Sequence, residues 1–168
     1  MTTDDEELAK AVRAIANYGS DRRYHNVYIG YNCRLDPLQA AILNIKLADL
    51  EHVSEHRRMI AGVYDRLISC DGVVKPVVPE NRLSHVWHQY VILTEKRDAM
   101  REKLMEHGIA TDINYPTPPH RQPCYAEAFG RLSFPVTERI CRECLSLPLN
   151  NVTVVEAAEK VVEAMLCY

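Results

Sequence analysis

The chain has 168 residues, 20 basic and 23 acidic, with a net charge of −3, and 47% of them are hydrophobic. That length supports one domain or two small ones with a core. Neither sign of charge forms a long run, which argues against a dedicated nucleic-acid or polybasic membrane surface and leaves only a local patch such as Arg22-Arg23, and no apolar run approaches ~18 residues, so no membrane-spanning helix is expected.

Acidic Asp4-Asp5-Glu6-Glu7 stands where a signal peptide would be basic and then apolar, so a cytoplasmic protein is expected. Thr3 and Glu6 have the spacing of a capping box, which predicts a helix with Leu8, Val12, Ile15 and Ala16 on one face and a stop at Gly19. Gly19 to Tyr31 carries three tyrosines, two arginines, His25 and Asn26, and is expected to be a loop. It is read either as a contact surface or as a solvated connection. Asp36 is placed to cap the next helix, with Pro37 at its first position and Gln39 as capping-box partner. Apolar residues then recur at Leu38, Ile42, Ile45, Leu50, Val53, Ile60, Val63, Tyr64 and Leu67. Unbroken to Ser69, this helix would have about 33 residues and span roughly 50 Å.

Beyond it the pattern changes. Asp71-Gly72 is a turn, and Val73 to Val78 is extended, with Pro76 marking an edge. His85 to Leu93 reads as a strand, in which Trp87 and His88 serve packing rather than a site. Thr94 caps a helix with Met100, Leu104 and Met105 apolar, ending near Gly108, and Ile109 to Tyr115 is a further strand. Pro116 to Pro123 is too rich in proline for regular structure and would hold His120 and Gln122 at low entropic cost. Tyr125 to Phe129 is a short helical turn, Phe134-Pro135 opens a helix to about Leu145, and Leu145 to Leu149 is extended. Thr153 and Glu156 box the last helix, whose apolar positions are Val154, Ala158, Val161, Val162 and Met165. Of six cysteines, Cys141 and Cys144 have CxxC spacing, but a zinc site needs a second ligand pair, and their sulfurs are read as core-facing. His52 and His56 are read as a polar helix face, so no metal site is expected. Residues 71–168 thus form a small α+β domain with antiparallel strands and helices on one face. Residues 1–70 are two helices and a loop without a sheet.

Three phrases together resemble one family. Gly30-Tyr31-Asn32-Cys33-Arg34-Leu35-Asp36 with Gln39-Ala40-Ala41-Ile42 is similar to the GxNxR(L/M)DxxQAAI segment of the DegT/DnrJ/EryC1/StrS sugar aminotransferases. Tyr115 to Gln122 resembles their YPxPxHxQ loop, and Phe134-Pro135 through Leu147-Pro148 resembles their FPxxE…LSLP stretch. The resemblance implies a fold-type I, pyridoxal-phosphate-dependent enzyme acting on nucleotide-linked keto sugars, α/β by family. Leu35 and the doubled Pro118-Pro119 lean toward members that aminate a 3-keto-6-deoxyhexose on a dTDP carrier. This chain would be its C-terminal part, residues 1–70 a remnant of the large domain with a long inter-domain helix and residues 71–168 the small domain.

The family is about twice as long, and the resemblance begins just after the point where members carry the Schiff-base lysine. The six lysines here, at 10, 46, 75, 96, 103 and 160, all fall past it. No catalytic residue is therefore expected. Asn32 resembles the residue whose amide donates to the cofactor phosphate across the dimer. Arg34 would pair with the substrate diphosphate or, alternatively, form a salt bridge to Asp36 or the helix start. Tyr115 and His120 would border the sugar, unless His120 is a plain loop histidine. Pyridoxal phosphate is expected only in assembly with an N-terminal half, and the partners are that half or a second copy in a dimer, with a nucleotide sugar as substrate. The alternative is an inactive interaction module that binds a full-length relative or a sugar nucleotide.

Overall fold

Asp5, rather than Thr3, starts the first helix in the computed structural model, which describes residues 2–166. The Asp5 carboxylate accepts from the Leu8 amide at 2.9 Å, and the Thr3 hydroxyl accepts from the Asp5 amide at 3.1 Å, so α1 runs Glu6–Ala16. A carboxylate at the positive end of the helix dipole outcompetes a neutral hydroxyl for the cap. The chain divides into two compact units, Met1–Asp49 and Leu50–Tyr168, each described by itself.

In the first unit the stretch expected to be a loop contains a hairpin. β1 (Ser20–Arg22) pairs antiparallel with β2 (His25–Asn26) across a turn in which Tyr24 takes a φ of 65°. The left-handed position of a two-residue turn usually falls to Gly or Asn, and a tyrosine there concealed the turn. An Asp21–His25 contact at 2.6 Å and a Ser20–Asn26 hydrogen bond at 2.5 Å brace it. α2 (Pro37–Ala48) begins as expected, with the Asp36 carboxylate accepting from the amides of Leu38 at 2.8 Å and Gln39 at 3.4 Å. Helical structure is interrupted at Asp49, whose φ and ψ are −103° and 2°. The long helix expected from Pro37 to Ser69 is therefore two helices. Aspartate is a weak helix-interior residue because its side chain competes for backbone groups. α2 buries none of its residues, and Ala14 is the only buried hydrophobic side chain of this unit among the described residues.

The second unit is organised around α3 (Leu50–Leu67), whose Ile60, Ala61, Val63 and Tyr64 are buried and which packs on α7 (Val155–Leu166). The buried face of α3 belongs to the same core as the sheet, which is why this unit begins at Leu50 and not at residue 71. β3 (Tyr90–Leu93) and β4 (Cys144–Leu147) pair antiparallel, Tyr90 opposite Leu147 and Leu93 opposite Cys144. Val74 bridges to Leu93 on one edge and Asp112 to Ser146 on the other. The expected strands at 73–78 and 109–115 are reduced to these single contacts. Alternation along β3 turns Tyr90 and Ile92 inward, and Leu145 and Leu147 join them under α3, α7 and α4 (Arg97–Glu106).

Several boundaries differ from expectation. The strand foreseen from His85 starts only at Tyr90, because Arg82–Ser84 is a 3-10 turn capped by Asn81 and Trp87 has a φ of 49°. One Arg57 nitrogen, Nη1, donates to the Trp87, His88 and Leu149 carbonyls at 3.1, 3.0 and 3.4 Å and holds that backbone. Trp87 is buried and stacks on Tyr90, so it packs, though outside the strand. Thr94 stops short of capping α4: its hydroxyl accepts from Lys96, and Met105 is exposed. The Thr153 hydroxyl accepts from the Asn150 amide, which removes it from the expected box. Cys141 ends within α6 (Pro135–Glu143) and Cys144 opens β4; both are buried, and burial pushes the Cys144 thiol up. No helix among the described residues is long and apolar enough to cross a membrane.

Candidate functional site

Asn32 and Arg34 lie on a segment whose path is fixed by two glycines. A Cβ on Gly30 would sit 2.0 Å from the Gly19 nitrogen, and a Cβ on Gly19, at a φ of 78°, would sit 1.8 Å from the Tyr28 carbonyl oxygen. Only two Cβ-less residues allow that crossing. The Tyr31 and Cys33 amides then donate to Ile15 and Ala16 carbonyls at 2.7 and 2.9 Å, and Asn32 bridges Asn17. The end of α1 is thereby capped by the very segment that carries Asn32. The Asn32 side chain is exposed and makes no hydrogen bond to the described residues, so its amide is free to donate to an anion. The Arg34 guanidinium lies 5.8 Å from the centroid of the Tyr18 ring, and among the described residues it forms no ion pair with Asp36, which is occupied in capping α2. Tyr18 itself was not foreseen as a partner.

Tyr115 and His120 belong to the second unit. Tyr115 is 75% exposed and follows a cis Asn114–Tyr115 peptide. His120 is only 7% exposed and sits in a 3-10 turn, Pro119–Arg121; a second turn, Pro123–Tyr125, leads into α5 (Ala126–Phe129). The His120 ring is therefore no loose loop side chain. Its Nε2 meets Glu138 Oε1 at 2.9 Å, and the Phe134 ring abuts it edge-on at 4.9 Å. The same Glu138 oxygen accepts from the Phe134 amide at 3.0 Å and from Arg121 at 3.4 Å. These donors, the Phe134 amide first and His120 next, hold the Glu138 carboxyl below its usual range. Pro119, His120, Tyr125, Phe129, Leu132 and Phe134 line a largely apolar pocket of about 540 Å³. Glu138 escaped the sequence-based site list. The signal was the proline at the first helical position with a glutamate three residues on, close enough to reach back to the Phe134 amide.

Helices packed on a short antiparallel sheet, as in the second unit, fit a class that solved structures define, the C-terminal part of a fold-type I aminotransferase. Solved sugar aminotransferases share the fold: DesV from S. venezuelae superimposes with a TM-score of 0.92 at 36% identity, over 98% of this chain and 45% of that one. NtdA from Bacillus subtilis, solved with its cofactor PMP bound, gives 0.91 at 29% identity, over 99% and 40%. Residues 1–166 match the DegT/DnrJ/EryC1/StrS aminotransferase family, and the chain belongs to it. It is 43% identical over 168 residues to a dTDP-3-amino-3,6-dideoxy-alpha-D-galactopyranose transaminase of Aneurinibacillus thermoaerophilus, covering all of this chain and 46% of that protein. The chain spans about half the length of the curated relatives it matches.

Proposed function

We propose that this chain supplies the C-terminal half of a transaminase that aminates a nucleotide-linked keto-deoxysugar, a dTDP-3-keto-6-deoxyhexose, with pyridoxal phosphate held jointly with an N-terminal half. The observation that carries this reading is the unengaged Asn32 amide on a backbone ledge fixed by the Gly19–Gly30 crossing. Bound there, the cofactor supplies the electron sink for amino transfer. Asn32 donates to its phosphate without adding charge, from across a dimer. Arg34, whose guanidinium lies over the Tyr18 ring, pairs its planar fork with the substrate diphosphate. Tyr115 and His120 border the sugar. None of these four would carry the proton that amino transfer moves between the substrate carbon and the cofactor carbon, and that task would fall to a lysine of the N-terminal half. Lys75 is unsuited to it, since its amine donates to the Asp65 and Ile68 carbonyls at 2.7 and 3.1 Å.

The test is to combine the chain with the N-terminal half of the Aneurinibacillus relative and assay amino transfer to a dTDP-linked 3-keto sugar. Asn32→Ala should weaken cofactor retention by roughly ten- to a hundred-fold, since a hydrogen bond to an anion is worth about 1.5–3 kcal/mol. Arg34→Ala should spare the cofactor and raise KM for the nucleotide sugar. Loss of the folded assembly in both variants alike would overturn the site assignment.

A further inference from the structure

We propose that Glu138 is a positioning residue for His120, orienting the ring so that Nδ1 is offered to the substrate as a hydrogen-bond acceptor. This rests on the reading of His120 as a substrate-binding residue. The clamp is built by the first turn of α6. Pro135 occupies the first helical position, the Glu138 amide donates to the Phe134 carbonyl at 2.9 Å, and the Glu138 carboxylate returns to the Phe134 amide at 3.0 Å. That doubly bonded turn fixes both things that touch His120, the Phe134 ring edge-on and the Glu138 oxygen at Nε2. Arg121 completes the anchorage, one nitrogen on Glu138 and another on the Gly130 carbonyl at 2.8 Å.

The chemistry of the pair sets the proton. An ionised carboxylate only accepts, so the ring hydrogen facing Glu138 is on Nε2, and in the neutral imidazole Nδ1 carries the lone pair. No described group hydrogen-bonds to Nδ1. Among the described residues, the fully buried side-chain nitrogen or oxygen atoms without a partner are Arg58 Nε and Ser146 Oγ, so Nδ1, which also lacks a partner, is not fully buried, and the ring lines the apolar pocket. On the neutral ring a ligand group seated on Nδ1 must donate. A sugar hydroxyl does so; a keto oxygen or an unprotonated phosphate oxygen does not. Glu138 thereby makes the His120 subsite selective for a hydroxyl-bearing part of the substrate.

The experiment has two arms. In the full chain labelled with ¹⁵N-histidine, a slowly exchanging ring N–H signal should be present, vanish in His120→Gln and Glu138→Ala, and persist in Glu138→Gln, whose carbonyl still accepts. A signal that survives Glu138→Ala, or a ring proton found on Nδ1, overturns the positioning role. In the assembly with an N-terminal half, His120→Gln and Glu138→Ala should each raise KM for the nucleotide sugar by roughly ten-fold with kcat little changed, and the double variant should be no worse than either. Additive losses in the double variant overturn the inference. An unchanged KM in His120→Gln overturns instead the substrate-binding reading of His120, and leaves the ring signal as a separate fact.

Discussion

α2 and α3 follow one another in the chain and are both rich in apolar residues, yet they live under opposite conditions. In α3, Ile60 and Tyr64 are fully buried against the core of the second unit. In α2, Leu38, Ile42, Leu43, Ile45 and Leu47 are all exposed, Ile45 at 76%. Helices that are apolar on most sides are ordinarily interior ones. The second unit has a core of its own, whereas α2 of the first presents its apolar residues to solvent among the described residues.

The sharpest break between the two comes from truncating one apolar residue in each. Leu145→Ala, at a fully buried β4 position, should cost about 2–5 kcal/mol of unfolding free energy in a denaturant titration. Ile45→Ala in the isolated chain should cost almost nothing, and equal losses at both positions would contradict the comparison. The exposed face of α2 should also drive association. Replacing Ile42 and Ile45 by glutamate and lysine should shift the chain toward monomer in sedimentation velocity, whereas charges on exposed positions of α4 should not. Removing the cap with Asp36→Ala should reduce α2 helicity by the equivalent of about 1 kcal/mol, read by circular dichroism, with the midpoint of the second unit unchanged.

A smaller effect is expected in acid. The folded-state pKa of Glu138 lies below the ordinary 4.5, so across that window the unfolded chain binds the extra proton and stability rises with pH. Its contribution is complete above 4.5 and is lost as pH falls through the depressed value. Thermal melts of the wild type and Glu138→Gln should therefore differ at neutral pH and converge in strong acid. Smaller still should be the response of Asp21, depressed chiefly by its His25 hydrogen bond on the exposed hairpin.

Legibility in the sequence followed the same division. Asp36-Pro37 announces the start of α2 through cap chemistry that is purely local, and α7 and the extended run from Leu145 are visible through period and length, although Cys144, expected at the end of the preceding helix, already opens β4. What was hidden depended on distant backbone. The β1–β2 turn uses Tyr24 where Gly or Asn would have declared it, and His85 to Gln89 has strand composition but is held off the sheet by Arg57, thirty residues earlier in the chain. Asp49 ends α2 inside a run whose period continues across it. At the site, Asn32 and His120 stood out by residue type and motif. Glu138 fell within the FPxxE phrase but its role did not show, and Tyr18 did not stand out at all, because each acts only by touching another residue, and contact is what a linear pattern lacks.

The proposal that an N-terminal half covers the apolar residues of α2 is measured most directly by hydrogen exchange. In the chain alone, diluted until it is monomeric, amides of α2 should exchange rapidly while those of β3 and β4 are protected. On addition of the N-terminal half of the Aneurinibacillus relative, exchange in α2 should slow by orders of magnitude, with β3 and β4 unchanged. If α2 is already as protected as β4 in the isolated chain, or remains unprotected in the mixture, the account is contradicted.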